Sequence, residues 1–177
     1  MKRSKQPYTG LQCTRCHRFF HEEAPLGTCP KCHGLLDTVL DETVLSLYSK
    51  LQPGNDVQSM WKFNMFLPVK AGTIPVTAGE GNTPLRPVRS YPQLHSVWLK
   101  DETRNPTGTF KDRGASLAVT RLSQLRVRTL VLASEGNAGC SFALYSQMAG
   151  ISCHVYLPSH ANNAKVELSK KTRRSGH

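Results

Sequence analysis

Lys111 stands in the stretch LKDETRNPTGTFKDR (99–113), between an aromatic residue, Phe110, and the pair Asp112-Arg113. A turn rich in Gly, Pro and Thr precedes it, and the helix-like run GASLAVTRLSQL follows. A primary amine held still where a tight turn enters a helix suits attack on a carbonyl carbon. Lysine is the side chain that forms Schiff bases with aldehydes. An amine used this way is expected to be buried, with Asp112 and Arg113 pairing with groups that orient the turn. The ordinary alternative is a solvated charge in a helix's first turn.

Four of the six cysteines form a second reactive pattern. Cys13 and Cys16 are separated by two residues, as are Cys29 and Cys32, with twelve residues between the pairs. Each CxxC turns two thiolates toward one point, and two such turns supply the four tetrahedral sulfurs that Zn²⁺ prefers. The spacer HRFFHEEAPLGT is short enough to return as a hairpin. A module this small gains its folding free energy from the metal. Four thiolates close the site, so a structural staple is expected and not a catalytic zinc. His17 and His33 follow the CxxC pairs, as in c-type haem attachment, but the paired arrangement favours zinc; either could replace a cysteine as ligand, yet four cysteines complete the site and leave the histidines beside it or at the surface. Disulfides are not expected, because no secretion signal is evident.

The elements that must hold these groups follow from punctuation and periodicity. Residues 1–36 read as a zinc ribbon, 37–78 as a helical and connector segment, and 79–177 as an α/β domain. Asp37–Lys50 is compatible with a short amphipathic helix. Trp61, Phe63, Phe66 and Leu67 mark a connector that packs onto the main domain. From residue 79 a strand is expected at Val97–Leu99 and a helix at Phe110–Leu125. A buried strand at Thr129–Ala133 follows, then a helix at Ala138–Ala149 ended by Gly150. A strand at Cys153–Leu157 and a helix over Asn162–Lys171 complete the series. Alternating strands and helices indicate a parallel sheet. In such sheets ligands collect at the carboxyl ends of strands. The loop Ser134-Glu135-Gly136-Asn137-Ala138-Gly139 sits at one, where its glycines let backbone amides approach a ligand and the next helix's N-terminus favours an anion.

The chain has 177 residues, 38% of them hydrophobic, and a formal net charge of +11. No apolar stretch approaches the ~20 residues that span a bilayer. No apolar run follows the basic start, so a cytoplasmic protein without a secretory leader or membrane association is expected. The positive charge crowds both ends, Lys2, Arg3 and Lys5 at one and Lys165, Lys170, Lys171, Arg173 and Arg174 at the other. Terminal runs of this kind are ordinarily solvated, which argues against a nucleic-acid partner.

The segment LKDETRNPTGTFKDRGAS resembles the cofactor-lysine segment of threonine synthases, within the fold type II, tryptophan-synthase-β-like group of pyridoxal-phosphate enzymes. GEGNTPL (79–85), ASEGNAG (133–139) and CHVYLPSHANNAKV (153–166) agree with it, so the resemblance runs from about Cys13 to Val166. Some members carry a comparable ribbon at the same end. The resemblance implies that Lys111 holds pyridoxal 5'-phosphate covalently and then moves protons. It implies that Asn137 hydrogen-bonds the cofactor's 3-hydroxyl. Phe110 is expected either to wall the pocket beside the ring or to serve the core. The loop of Ser134, Glu135, Gly136 and Ala138 would receive the substrate carboxylate. Lys100 and Arg104 are candidate contacts for a substrate phosphate, and Thr83 lies in a segment that neighbours the substrate site in relatives; Asn105, Thr107 and Thr109 supply polar groups around the site. The implied reaction turns O-phospho-L-homoserine and water into L-threonine and phosphate, and the complete enzyme is expected to be a homodimer.

Complete members are longer. They carry a glycine-rich phosphate loop downstream of the lysine and a Ser or Thr facing the pyridine nitrogen, and neither is found here. The α/β pattern is incomplete, so a truncated enzyme, weakly active or inactive alone, is expected; a second half supplied by a separate chain, or a degraded remnant, are the alternatives. Cysteate synthase and threonine or serine ammonia-lyases are neighbouring readings within the cofactor class. A zinc-ribbon module that binds nucleic acid without catalysis is the competing reading outside it.

Overall fold

The computed structural model describes residues 8–21, 27–41, 58–70, 72–89, 93, 96–134 and 136–158. They fall into two compact units, one holding the described residues up to 41 together with 62–73, the other 58–61 with residues from 74 onward.

The first unit contains a three-stranded antiparallel sheet in the order β2-β1-β3, formed by β1 (Tyr8–Cys13), β2 (Phe19–Phe20) and β3 (Leu36–Leu40). The expected hairpin is present: Leu11 pairs with Phe20 and Gln12 with Phe19. Gly10 marks a register shift between β1 and β3. Its φ is 152°, and a Cβ there would lie 2.2 Å from the Phe20 carbonyl oxygen, so only glycine allows the close approach.

The amphipathic helix expected from Asp37 is not formed at its start. Residues 36–40 are strand β3, with Asp37 opposite Gln12 and Thr38 opposite Leu11. Pairing with an edge that β1 already offers outweighs a weak local helical pattern, and the β-branched Thr38 and Val39 suit a pleated surface. Residues 42–50 lie outside the described residues, as does the helix expected at Asn162–Lys171.

In the second unit β4 (Leu85–Pro87) and β5 (Trp98–Lys100) pair antiparallel, and β6 (Thr129–Ala133) and β7 (Ser152–Tyr156) pair parallel. Helix α1 (Lys111–Gln124) precedes β6, and α2 (Asn137–Met148) makes the crossover from β6 to β7. The buried stripe of α1, Asp112, Ala115, Ser116, Val119 and Thr120, follows helical spacing. Ala115 and Val119 form the core with Tyr145 of α2 and Ile151, and Leu130, Leu122 and Phe142 pack around them. Gly150 ends α2 at a φ of 66°, a left-handed position that glycine takes without strain.

The strand Thr129–Ala133 matches the expected span but not the expected burial. Its residues alternate, and Val131 is 60% exposed. Leu130 turns to the helical core, whereas Val131 and Tyr156 of β7 look away from it. A parallel strand reads as a continuous apolar run because both faces are normally covered; among the described residues only one face is. No helix of the described residues is long and apolar enough to cross a membrane.

Candidate active site and metal centre

The ribbon brings its four cysteines together. One sulfur from each of Cys13, Cys16, Cys29 and Cys32 lies within 4.8 Å of the others. Cys13 and Cys32 are 3.4 Å apart and Cys16 and Cys29 3.7 Å. Tetrahedral Zn–S bonds of about 2.3 Å place sulfurs about 3.8 Å apart, so the cluster fits the ion. The turns are built for it. The amides of Cys16 and Arg15 both point at Cys13 Sγ at 3.4 Å; the Cys16 amide foremost, then the Arg15 amide and the neighbouring Cys32 and Cys16 thiols, outweigh burial and bring that thiol down to about 6. His17 and His33 occupy left-handed positions at the ends of the two turns (φ 54° and 57°), exposed, as expected of residues that do not ligate. Gly34 is required by crowding, since a Cβ there would lie 2.9 Å from Cys13 Sγ.

Lys111 is the first residue of α1, and the two residues after it anchor the turn on opposite sides. Asp112 is fully buried and accepts hydrogen bonds from the Thr107 amide at 2.7 Å and the Thr107 hydroxyl at 2.6 Å. Arg113 grips Glu102 with two hydrogen bonds of 2.8 Å and also reaches Thr83 Oγ1 at 3.2 Å. Thr83, buried, donates to Glu102 Oε1 at 2.6 Å. Asn105 closes the frame by donating to Glu102 and accepting from the Gly81 amide at 2.9 Å. The frame thus ties GEGNTPL to the turn before the lysine.

Lys111 itself is exposed, not buried as expected, with its ammonium 4.4 Å from the centroid of the Phe110 ring. No other element among the described residues is laid over it. Phe110 is 56% exposed and lines a cleft of about 530 Å³ with Arg86, Leu99, Lys100 and Thr109. Lys100 donates to the Thr83 carbonyl. Arg104 and Arg86 both turn to Asp101, at 3.3 and 3.5 Å.

At the end of β6 the chain turns through Ser134 into α2. Ser134 Oγ accepts from the amides of Gly136 at 3.1 Å and Gly139 at 2.9 Å, so this hydroxyl shapes the turn. Gly136 has a φ of 146°, open to glycine and strained for other residues. Gly139 sits against β7, where a Cβ would lie 2.7 Å from Val155 Cγ1. Asn137, exposed, and Ala138, half-buried, open α2, where first-turn N–H groups are free of helical partners. Glu135 lies outside the described residues.

Glu80 was not singled out by its sequence context, yet it is fully buried. It accepts from Trp61 Nε1 at 2.8 Å, Tyr145 OH at 2.8 Å, Thr77 Oγ1 and the Ala78 amide. Burial pushes its carboxyl up, but the polar groups around it, the neighbouring Ser116 hydroxyl together with hydrogen bonds from Tyr145 and the Ala78 amide, more than offset this and hold it below the ordinary range. Burial and the adjacent carboxylate raise the Tyr145 hydroxyl. A lone acid between two glycines was the available sign: such a position leaves the backbone free to bend around an acceptor.

A family model described as pyridoxal-phosphate dependent enzyme matches residues 76–172, and the chain belongs to that family. Within it the chain is a threonine synthase homologue. It is 36% identical over 164 residues to the threonine synthase of Methanosarcina acetivorans, covering 90% of this chain and 38% of that protein. The threonine synthase of Methanocaldococcus jannaschii is 34% identical over 163 residues, with 90% and 39% covered. That of Mycobacterium leprae is 45% identical over 106 residues, covering 59% of this chain and 28% of its own length. The chain therefore spans well under half the length of these relatives. One donor fits the family's cofactor: a primary amine heads α1, for its aldehyde. The glycine-shaped N-terminus of α2 suits an anionic carboxylate.

Proposed function

We propose that this chain is the N-terminal part of a threonine synthase that converts O-phospho-L-homoserine and water to L-threonine and phosphate, a carbon–oxygen lyase of threonine biosynthesis. The observation that carries this reading is the lysine at the head of α1, framed by Asp112–Thr107 on one side and Arg113–Glu102–Thr83 on the other. Such a frame holds an amine in place for covalent attachment of an aldehyde.

Bound pyridoxal phosphate would supply an electron sink for the negative charge that develops on the substrate carbons. Lys111 would hold it, and its freed amine would carry protons among the α, β and γ carbons as phosphate leaves the γ carbon and water adds at the β carbon. Asn137 would bind the 3-hydroxyl, and Phe110 would flank the ring. The Ser134–Ala138 turn would orient the substrate carboxylate, Glu135 included, through the N–H groups at the head of α2. Lys100 and Arg104, near Thr83, would meet the substrate phosphate. The four cysteines would hold a structural Zn²⁺. The complete enzyme would be a cytoplasmic homodimer, and residues 1–177 alone would turn over little substrate. Cysteate synthase or an ammonia-lyase would share Lys111 and Asn137 but not the preference for this phosphate.

Calorimetric titration of the chain, with pyridoxal phosphate present, tests the substrate. O-phospho-L-homoserine should bind about tenfold or more tightly than L-homoserine, and Lys100→Ala should remove that difference. Equal affinities would overturn the assignment.

A further inference from the structure

Thr107 and Ser141 take part in a hydrogen-bond chain that the proposed chemistry leaves unassigned. The Asp112 carboxylate is an acceptor only, and both its oxygens are engaged by Thr107. The Thr107 hydroxyl has one proton, which goes to Asp112 Oδ1 at 2.6 Å. Thr107 Oγ1 and Ser141 Oγ are also 3.0 Å apart. With the Thr107 proton committed, Ser141 must be the donor. The chain is therefore directional, from Ser141 to Thr107 to Asp112. Ser141 and Asp112 are both fully buried.

Its location gives it a function. Asp112 adjoins Lys111 at the head of α1, and Ser141 lies one helical turn beyond Asn137 on the same face of α2. Lys111 and Asn137 are both exposed, so their own packing does not fix their positions. The apolar contacts between the helices, through Ala115, Val119 and Tyr145, are non-directional. Burying a carboxylate is costly where an apolar group would serve stability alone. A directional link from buried Ser141 through half-buried Thr107 to buried Asp112 sets the two helix heads in register. We propose that Thr107 and Ser141 are positioning residues that, through Asp112, fix Lys111 relative to Asn137, an inference that rests on the pyridoxal-phosphate reading of those two residues.

The test uses the full 177-residue chain and the variants Thr107→Val, which keeps shape and loses the hydroxyl, Thr107→Ser, which restores it, and Ser141→Ala. Two readouts are taken: amide hydrogen exchange at residue 141, whose helical N–H donates to the Asn137 carbonyl, without cofactor, and the ratio of borohydride-trapped pyridoxal phosphate on Lys111 to that on Lys100. In Thr107→Val, exchange at residue 141 should accelerate and the trapping ratio should fall about tenfold, with Thr107→Ser within about twofold of the unaltered chain. Ser141→Ala should shift both in the same direction and serves if Thr107→Val does not fold. Unchanged exchange at residue 141 in folded Thr107→Val or Ser141→Ala would overturn the link between the helices. Changed exchange with no Lys111 preference in the unaltered chain would instead overturn the cofactor reading, and with it the positioning role.

Discussion

Arg113 and Glu102 meet as a planar two-bond pair, Nε to Oε2 and Nη2 to Oε1, both at 2.8 Å. Arg113 is two residues beyond Lys111, so the pair pins α1 to the 3-10 turn at Glu102–Arg104. Its hydrogen bonds, led by those from Arg113, hold the Glu102 carboxyl at about 2.

This pairing makes stability depend on pH in a defined direction. The folded-state value lies below the ordinary 4.5. The carboxylate therefore contributes fully above that ordinary value, and its contribution is lost as pH falls toward about 2. Urea denaturation across this range should show a fall in stability that Glu102→Gln flattens, at a cost of about 1–2 kcal/mol near neutral pH. Parallel pH profiles for the two proteins would contradict the role of the pair.

Glu80 joins the Trp61 segment to α2 through Trp61 and Tyr145. Glu80→Ala would strand the Tyr145 hydroxyl and the Ala78 amide, while Trp61 Nε1 keeps Ser116 Oγ at 2.9 Å, and should cost roughly 3 kcal/mol or more, whereas Tyr145→Phe should cost about 1 kcal/mol. Chemical denaturation measures both. Equal, small losses would mean that the acid is not the hub of this cluster.

The cysteine cluster should bind one zinc ion per chain. A chelator should collapse the β1–β3 sheet, seen as loss of amide dispersion for residues 8–13, because the ion supplies on the order of 10 kcal/mol in modules this small. Cys13→Ser should have the same effect. A sheet that persists without metal would show that the ribbon folds by its own packing.

The sequence was most legible where pattern is local. The spans of β6, α1, α2 and β7 came within a residue or two of expectation, because Gly and Pro punctuate them and their apolar residues repeat at helical or strand spacing. The cysteine cluster was legible because CxxC spacing is itself geometry. Partnerships across the chain were not. The start of the helical pattern at Asp37–Lys50 forms β3 instead because its strand character comes from pairing with β1, 25 or so residues earlier. Glu80, Tyr145 and Ser141 were missed because a lone Glu, Tyr or Ser carries no periodic sign of its partners. The exposure of Lys111 was unforeseen for a related reason, since motif identity says what a residue does but not which part of a protein covers it.

The central claim is that Lys111 is the amine that carries the cofactor. Borohydride reduction of the chain with excess pyridoxal phosphate, followed by peptide mass mapping, tests it most directly. The expected result is a reduced adduct concentrated on Lys111 and lost in Lys111→Ala, with only weak visible absorbance expected before reduction. An adduct spread evenly over the lysines, or concentrated on another residue such as Lys100, would contradict it.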